Sequence, residues 1–121
     1  MGRDPNLIWG ARPDALYGLV DLMEQGWKGT GRLHVPTLYL YGARDQIIPP
    51  RPAAQAVGRL GVLGRSAYYA EGCHLLLVDL QNPRVWDDVA AFVRDPFAPL
   101  PSSAPPVPAK MPDKAAPCIP R

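Results

Sequence analysis

Proline constrains this chain more than any other residue, because it is concentrated at one end. Nine of the 16 prolines lie between Pro96 and Pro120. Each fixes φ and removes a backbone donor, so neither a regular helix nor an interior strand can run through them. Residues 96–121 are therefore expected to be a disordered Pro-rich tail. About 95 residues remain to build a core, and a core of that size is marginal because short chains bury a smaller share of their surface.

Ahead of the tail, the apolar pattern alternates between helix and strand periods. Residues 1–12 carry little pattern. From Pro13 to Gly26, Leu16, Leu19, Val20 and Met23 recur at three- and four-residue spacing, with proline at the entry and glycine at the exit, which predicts a helix. Residues 26–35 read as a loop. Pro36–Tyr41 is a strand-favouring run, apolar on both faces as a buried parallel strand would be, and it stops at Gly42. Pro49, Pro50 and Pro52 are expected to bar regular structure until Ala53, and a weak helix over 53–60 follows. Residues 66–70 form a second strand. A last helix from Pro83 to Arg94 is expected to bury Val85, Trp86, Val89, Phe92 and Val93. The order helix, strand, helix, strand, helix defines an α/β layer with parallel strands. Two such strands make a poor sheet, since each internal parallel strand needs neighbours on both sides.

Charge and composition exclude several classes of function. Thirteen Lys and Arg against eleven Asp and Glu give a net charge of +2, with both signs interspersed and no basic patch for nucleic acid. No apolar run approaches the roughly 20 residues of a membrane-spanning helix, and the first residues lack the layout of a signal peptide. Only Cys73 and Cys118 could pair, and Cys118 lies in the tail. A disulfide framework is therefore not expected, and the cytoplasm fits. His34 and His74, with two distant cysteines, give no metal-ligand spacing. Gly29-Thr30-Gly31 precedes a strand where a dinucleotide loop would follow one, and reads as a flexible linker. No cofactor is expected.

Two positions could carry chemistry. Asp45 and His74 fall just beyond the C-terminal ends of the two strands, the edge of a parallel sheet where ligands gather. A carboxylate that fixes an imidazole's tautomer is the supporting half of a Ser-His-Asp triad. The plainer reading is an aspartate capping a turn and a partly buried loop histidine. Cys73 neighbours His74, but adjacent side chains in an extended segment point opposite ways, so Cys73 reads as apolar filler and not as a nucleophile.

The local words carry a resemblance. Val35-Pro36-Thr37-Leu38-Tyr39-Leu40-Tyr41-Gly42-Ala43-Arg44-Asp45-Gln46-Ile47-Ile48-Pro49 is similar to the penultimate-strand segment of α/β-hydrolases, whose acid sits in G-x-x-D-x followed by two aliphatic residues and proline. Ala70-Glu71-Gly72-Cys73-His74-Leu75-Leu76-Leu77 resembles the next segment, where G-x-H carries the base. Val78-Asp79-Leu80 and Trp86-Asp87-Asp88-Val89 resemble the closing helix region. Asp14–Met23 looks like the end of the helical cap in lysophospholipase-like and monoacylglycerol-lipase-like members. The likeness covers roughly residues 4–95 and implies a division into the end of a cap (1–30), a C-terminal α/β-hydrolase segment (31–95) and the tail (96–121).

That resemblance implies Asp45 as the residue orienting the imidazole and His74 as general base toward a serine, in hydrolysis of a small-molecule or lipid ester. The family's nucleophile sits in G-x-S-x-G on a strand-to-helix turn, and this chain has only Ser66, Ser102 and Ser103. Ser66 enters a strand instead of leaving one. The implied reading is the C-terminal portion of a serine hydrolase, inactive as this chain alone, with a truncation favoured. The alternative is a non-catalytic interaction module, its Pro96-Phe97-Ala98-Pro99 and Pro105-Pro106-Val107-Pro108 words offered to a partner's aromatic groove.

Overall fold

A computed structural model describes residues 10–118. The readings of residues 1–9 and 119–121 lie outside the described residues. Five elements follow in the expected order: α1 (Pro13–Thr30), β1 (Thr37–Gly42), α2 (Pro50–Gly58), β2 (Gly64–Tyr69) and α3 (Asn82–Arg94). The strands pair in parallel, with Thr37 opposite Gly64 and Gly42 opposite Tyr69.

Side chains alternate between the two faces of this ribbon, as the pleat requires. On one face Leu38, Leu40, Ala67 and Tyr69 pack with Val85 and Phe92 of α3 and with Leu100. On the other, Tyr39, Tyr41 and Tyr68 pack with Ala53 and Val57 of α2 and with Val107 and Met111. Leu100, Val107 and Met111 belong to the segment expected to be disordered. That expectation is corrected: from Leu100 to Met111 the proline-rich segment lies against the sheet, and from there to Cys118 it runs beside the loops that follow the strands. It passes from the α3 face, at Leu100 and Ala104, around the outer edge of β2 to the α2 face, at Val107. At the turn-over the Tyr68 N–H donates to the Pro105 carbonyl at 2.8 Å, and the Val107 N–H donates to Ser66 Oγ at 3.0 Å. Proline excludes a ladder but not an extended chain whose carbonyls accept from a strand edge.

A buried carboxylate anchors this wrap. Asp88 is fully buried, accepts from the Tyr69 hydroxyl at 2.6 Å and from the Ser102 N–H at 2.8 Å, and accepts also from the Ser102 hydroxyl. Burial, then the hydrogen bond to Asp88, holds the Tyr69 phenol well above its ordinary range. Arg65 adds donations to the Pro96 and Ala98 carbonyls. The inward face of α3 is therefore Val85, Asp88 and Phe92. Trp86 and Val93, expected inside, are 50% and 75% exposed, and Trp86 instead donates from its indole N–H to the Leu77 carbonyl at 2.9 Å.

The helix limits differ for simple reasons. Pro50 and Pro52 occupy the first turn of α2, where no N–H partner is needed, so the helix begins three residues before Ala53. Helix α1 runs through Gly26 and Gly29 to Thr30, past the expected exit. Each glycine costs only about 1 kcal/mol against alanine. Trp27 of that last stretch lies under the Arg59 guanidinium, 4.6 Å from its ring centre. Leu16, Leu19, Val20 and Met23 form the apolar face that the spacing predicts, but all are exposed.

Cys73 and Cys118 form a disulfide. The sequence separated them into core and tail, and the wrapped tail brings them together. Cys73 is therefore a bonded cysteine and not apolar filler, and the cytoplasm loses the support that unpaired cysteines lent it.

Candidate functional site

The loops after the two strands meet at one edge of the sheet. The Ala43 N–H donates to the Tyr69 carbonyl at 2.9 Å and the Arg44 N–H to the Gly72 carbonyl at 2.8 Å, so the two chains leave the sheet side by side. Gly42 and Gly72 permit this approach. A Cβ on Gly42 would overlap the carbonyl oxygens of Gly72 and Cys73, and one on Gly72 would reach the Gly42 Cα at 3.0 Å. An Arg44–Glu71 ion pair closes the same junction on the outside.

Beyond it, Asp45 and His74 are brought together. His74 Nδ1 lies 3.1 Å from both carboxylate oxygens of Asp45. The Asp45 side chain is 7% exposed and that of His74 41%. Asp45 Oδ1 also accepts the backbone N–H groups of Ile47 at 2.8 Å and Ile48 at 2.9 Å. One carboxylate thus does both things foreseen for it: it caps the turn after β1 and faces the imidazole. Its two turn bonds fix its orientation, and an Nδ1–H donated to it leaves the His74 lone pair on Nε2.

Asp79 is a residue whose part sequence reasoning missed. Its Oδ2 accepts the Cys73 N–H and its Oδ1 the Leu80 N–H, both at 2.7 Å, which shapes the loop carrying His74. The signals were the Val78-Asp79-Leu80 word, which carried no role for the carboxylate, and an aspartate six residues beyond a loop cysteine, a spacing shared by many solvated aspartates. Tyr39 and Tyr41 approach from beneath. Burial, with the Asp45 charge adding to it, pushes the Tyr41 phenol up to about 12 and raises that of Tyr39. The Tyr41 hydroxyl donates to the Ile48 carbonyl at 2.8 Å, which holds the same turn from below.

An open cavity of about 350 Å³ lies beside the imidazole, lined by Ile47, Leu75, Val78 and the Cys73–Cys118 disulfide among others. Its walls are mainly apolar, as a site for an acyl chain or other nonpolar group would be. Among the described residues no serine lines it. Ser66 Oγ accepts from the Val107 N–H and Ser102 is held by Asp88. Among the described residues no three His, Cys, Asp or Glu side chains gather as a metal site, and no helix is long and apolar enough to cross a membrane.

A two-stranded parallel sheet with helices on both faces, and an aspartate and a histidine facing each other at its C-terminal edge, is compatible with part of an α/β-hydrolase fold. Comparison of families agrees. The profile described as "Serine aminopeptidase, S33" matches residues 1–81, more than half of the chain, and the chain belongs to that α/β-hydrolase family of serine hydrolases. No curated protein and no solved structure matched it.

Proposed function

We propose that this chain is the C-terminal portion of a serine hydrolase of the lysophospholipase or monoacylglycerol-lipase type, whose complete form cleaves a carboxylic ester, a lipid monoester in particular. The observation that carries the reading is the 3.1 Å approach of His74 Nδ1 to the Asp45 carboxylate. In this reading Nε2 takes the proton of a serine hydroxyl as that oxygen attacks the ester carbonyl. Asp45 stabilises the imidazolium, and the proton then passes to the departing alcohol. Two surfaces support a missing remainder: among the described residues β1 has a strand on one side only, and nothing covers the apolar face of α1. With neither nucleophile nor oxyanion donors of the family type, the chain alone should not turn over. Loss of a single such donor costs about 10²–10³ in rate.

The test is labelling with a fluorophosphonate, which traps activated serines. The purified chain should remain unlabelled. A protein extended by the reading frame upstream of Met1 should carry a G-x-S-x-G serine, become labelled, and lose labelling with His74→Ala. Labelling of the 121 residues alone, or an upstream frame without such a segment, would overturn the proposal. A second reading, an interaction module acting through its prolines, keeps one foothold in Pro96-Phe97-Ala98-Pro99, where Phe97 is exposed. The other word has Val107 buried against the chain's own sheet.

A further inference from the structure

The C-terminal residues do more than lie on the sheet. After Met111 the chain turns toward the edge that carries Asp45 and His74. Asp113 pairs with Arg51 at the start of α2. Asp113, Lys114 and Ala115 face Asp45, Gln46, Pro49 and Pro50 across a hollow of about 310 Å³. Cys118 then lines the same cavity as His74 and is bonded to Cys73, the residue before it. The segment 113–118 is thus a strap running beside both members of the pair, Asp113–Ala115 facing Asp45 and Cys118 bordering the His74 cavity. It is held at one end by an exposed ion pair and at the other by a covalent bond. Its helical or sheet hydrogen bonds are nil, because residues 111–118 belong to no element.

We propose that Cys73–Cys118 is a redox-modifiable latch, closed when oxidised with the strap beside the Asp45–His74 edge, and opened by a dithiol reductant. One thiolate of the reductant attacks either sulfur, the S–S bond breaks, and the displaced cysteine leaves as a thiolate that takes up a proton. The second thiol of the reductant attacks the mixed disulfide and frees the other cysteine. Two electrons pass to the protein, and the reductant departs as a cyclic disulfide. Both sulfurs border an open cavity, so a small dithiol has a path to them. The remaining tie, Arg51–Asp113, has both side chains more than two-thirds exposed, and such a pair holds a segment by a factor of about five at most.

The experiment uses the full chain with dithiothreitol as reductant and diethyl pyrocarbonate as imidazole reagent. His34, in an exposed loop, serves as internal reference. The oxidised protein should show no free thiol. On reduction, acylation of His74 relative to His34 should rise measurably, because the ion pair left behind favours the closed strap by a factor of about five at most. Tryptic cleavage after Lys114 should quicken, and the helical circular dichroism should not change. Cys118→Ser should match the reduced form with or without dithiothreitol. If that variant does not fold, reduction of the unmutated chain carries the test by itself. Two free thiols in air-oxidised protein, or an unchanged His74 to His34 ratio on reduction, would overturn the latch. So would loss of helical signal on reduction, which would make the bond a staple of the whole fold. The readout is acylation of an imidazole, so it fails or succeeds separately from the hydrolase reading.

Discussion

Asp88→Ala should detach the proline-rich segment, and its cost can be worked from the contacts. The buried carboxylate accepts from Tyr69 Oη at 2.6 Å and from the Ser102 N–H at 2.8 Å. A hydrogen bond to a charged acceptor contributes about 1.5–3 kcal/mol, and a buried donor left alone costs about as much again. The Ser102 hydroxyl can rotate away, so it adds little. Relief of the buried charge offsets part of the loss. The lower end is therefore the better figure, about 3 kcal/mol, which lowers Tm by about 12 °C or more in a chain of this size. Urea unfolding followed by circular dichroism measures the cost, and tryptic cleavage at Lys110 and Lys114 reports the tail directly. Tyr69→Phe in the Asp88→Ala background removes the stranded phenol and should restore about 1 kcal/mol, a coupling that a double-mutant cycle resolves. A loss below about 1 kcal/mol for Asp88→Ala, or strict additivity of the two changes, would refute the view that this carboxylate is the anchor.

Other changes separate the turn from the imidazole pairing. Asp45→Asn keeps an acceptor for the Ile47 and Ile48 N–H groups and should leave stability within about 1 kcal/mol, while ¹⁵N shifts of His74 should change from the Nδ1–H tautomer to a mixture. Asp45→Ala strands both N–H groups and should cost about 1–3 kcal/mol by urea unfolding. Gly42→Ala sets a methyl against the Gly72 and Cys73 carbonyls and should cost about 1–3 kcal/mol, with the ¹⁵N signature of the Asp45–His74 pair lost. Alkaline pH gives a separate check. The phenol of Tyr41 is pushed up to about 12, and those of Tyr39 and Tyr69 are raised. Because the folded chain keeps these phenols protonated above the ordinary value near 10, the stability they confer is complete below pH 10. It drains as pH rises from 10 toward 12. Tyrosinate absorbance at pH 11 should therefore be well below that of the urea-unfolded chain.

How much of this was legible in the residues depends on how local the cause was. The strands were readable within two residues, because Thr37-Leu38-Tyr39-Leu40-Tyr41 and Ser66-Ala67-Tyr68-Tyr69 favour extended backbone by their own side chains. The juxtaposition of Asp45 and His74 was readable because parallel strands in register deliver their following loops to one edge. The inward phase of α3 was not. Val85, Val89, Phe92 and Val93 suggested an apolar stripe, yet Asp88 sits at its centre since Tyr69 and Ser102 supply partners from 19 and 14 residues away. No helical period contains that information. Likewise the disulfide depends on the path of the chain from Leu100 to Cys118, which a composition rich in proline misrepresents as disorder.

The wrapped segment also changes the argument about sheet edges. Read as sequence, both outer edges of a two-stranded parallel ribbon were exposed, a form prone to pair with other chains. Among the described residues only one remains so. Pro105 accepts from Tyr68 along β2, and prolines on either side prevent any further strand from adding there. The free edge is that of β1, on the side away from the tail, and it lies in the same molecule as the uncovered apolar face of α1. An edge sealed by proline needs no neighbour, whereas an edge of Leu38 and Leu40 backbone does. The asymmetry accordingly directs any additional strands to β1 alone. That prediction is checked by amide exchange: the Tyr68 amide should be protected and those of Leu38 and Leu40 should exchange freely in this chain. Equal protection on both edges would mean that β1 has a partner, through association of two chains.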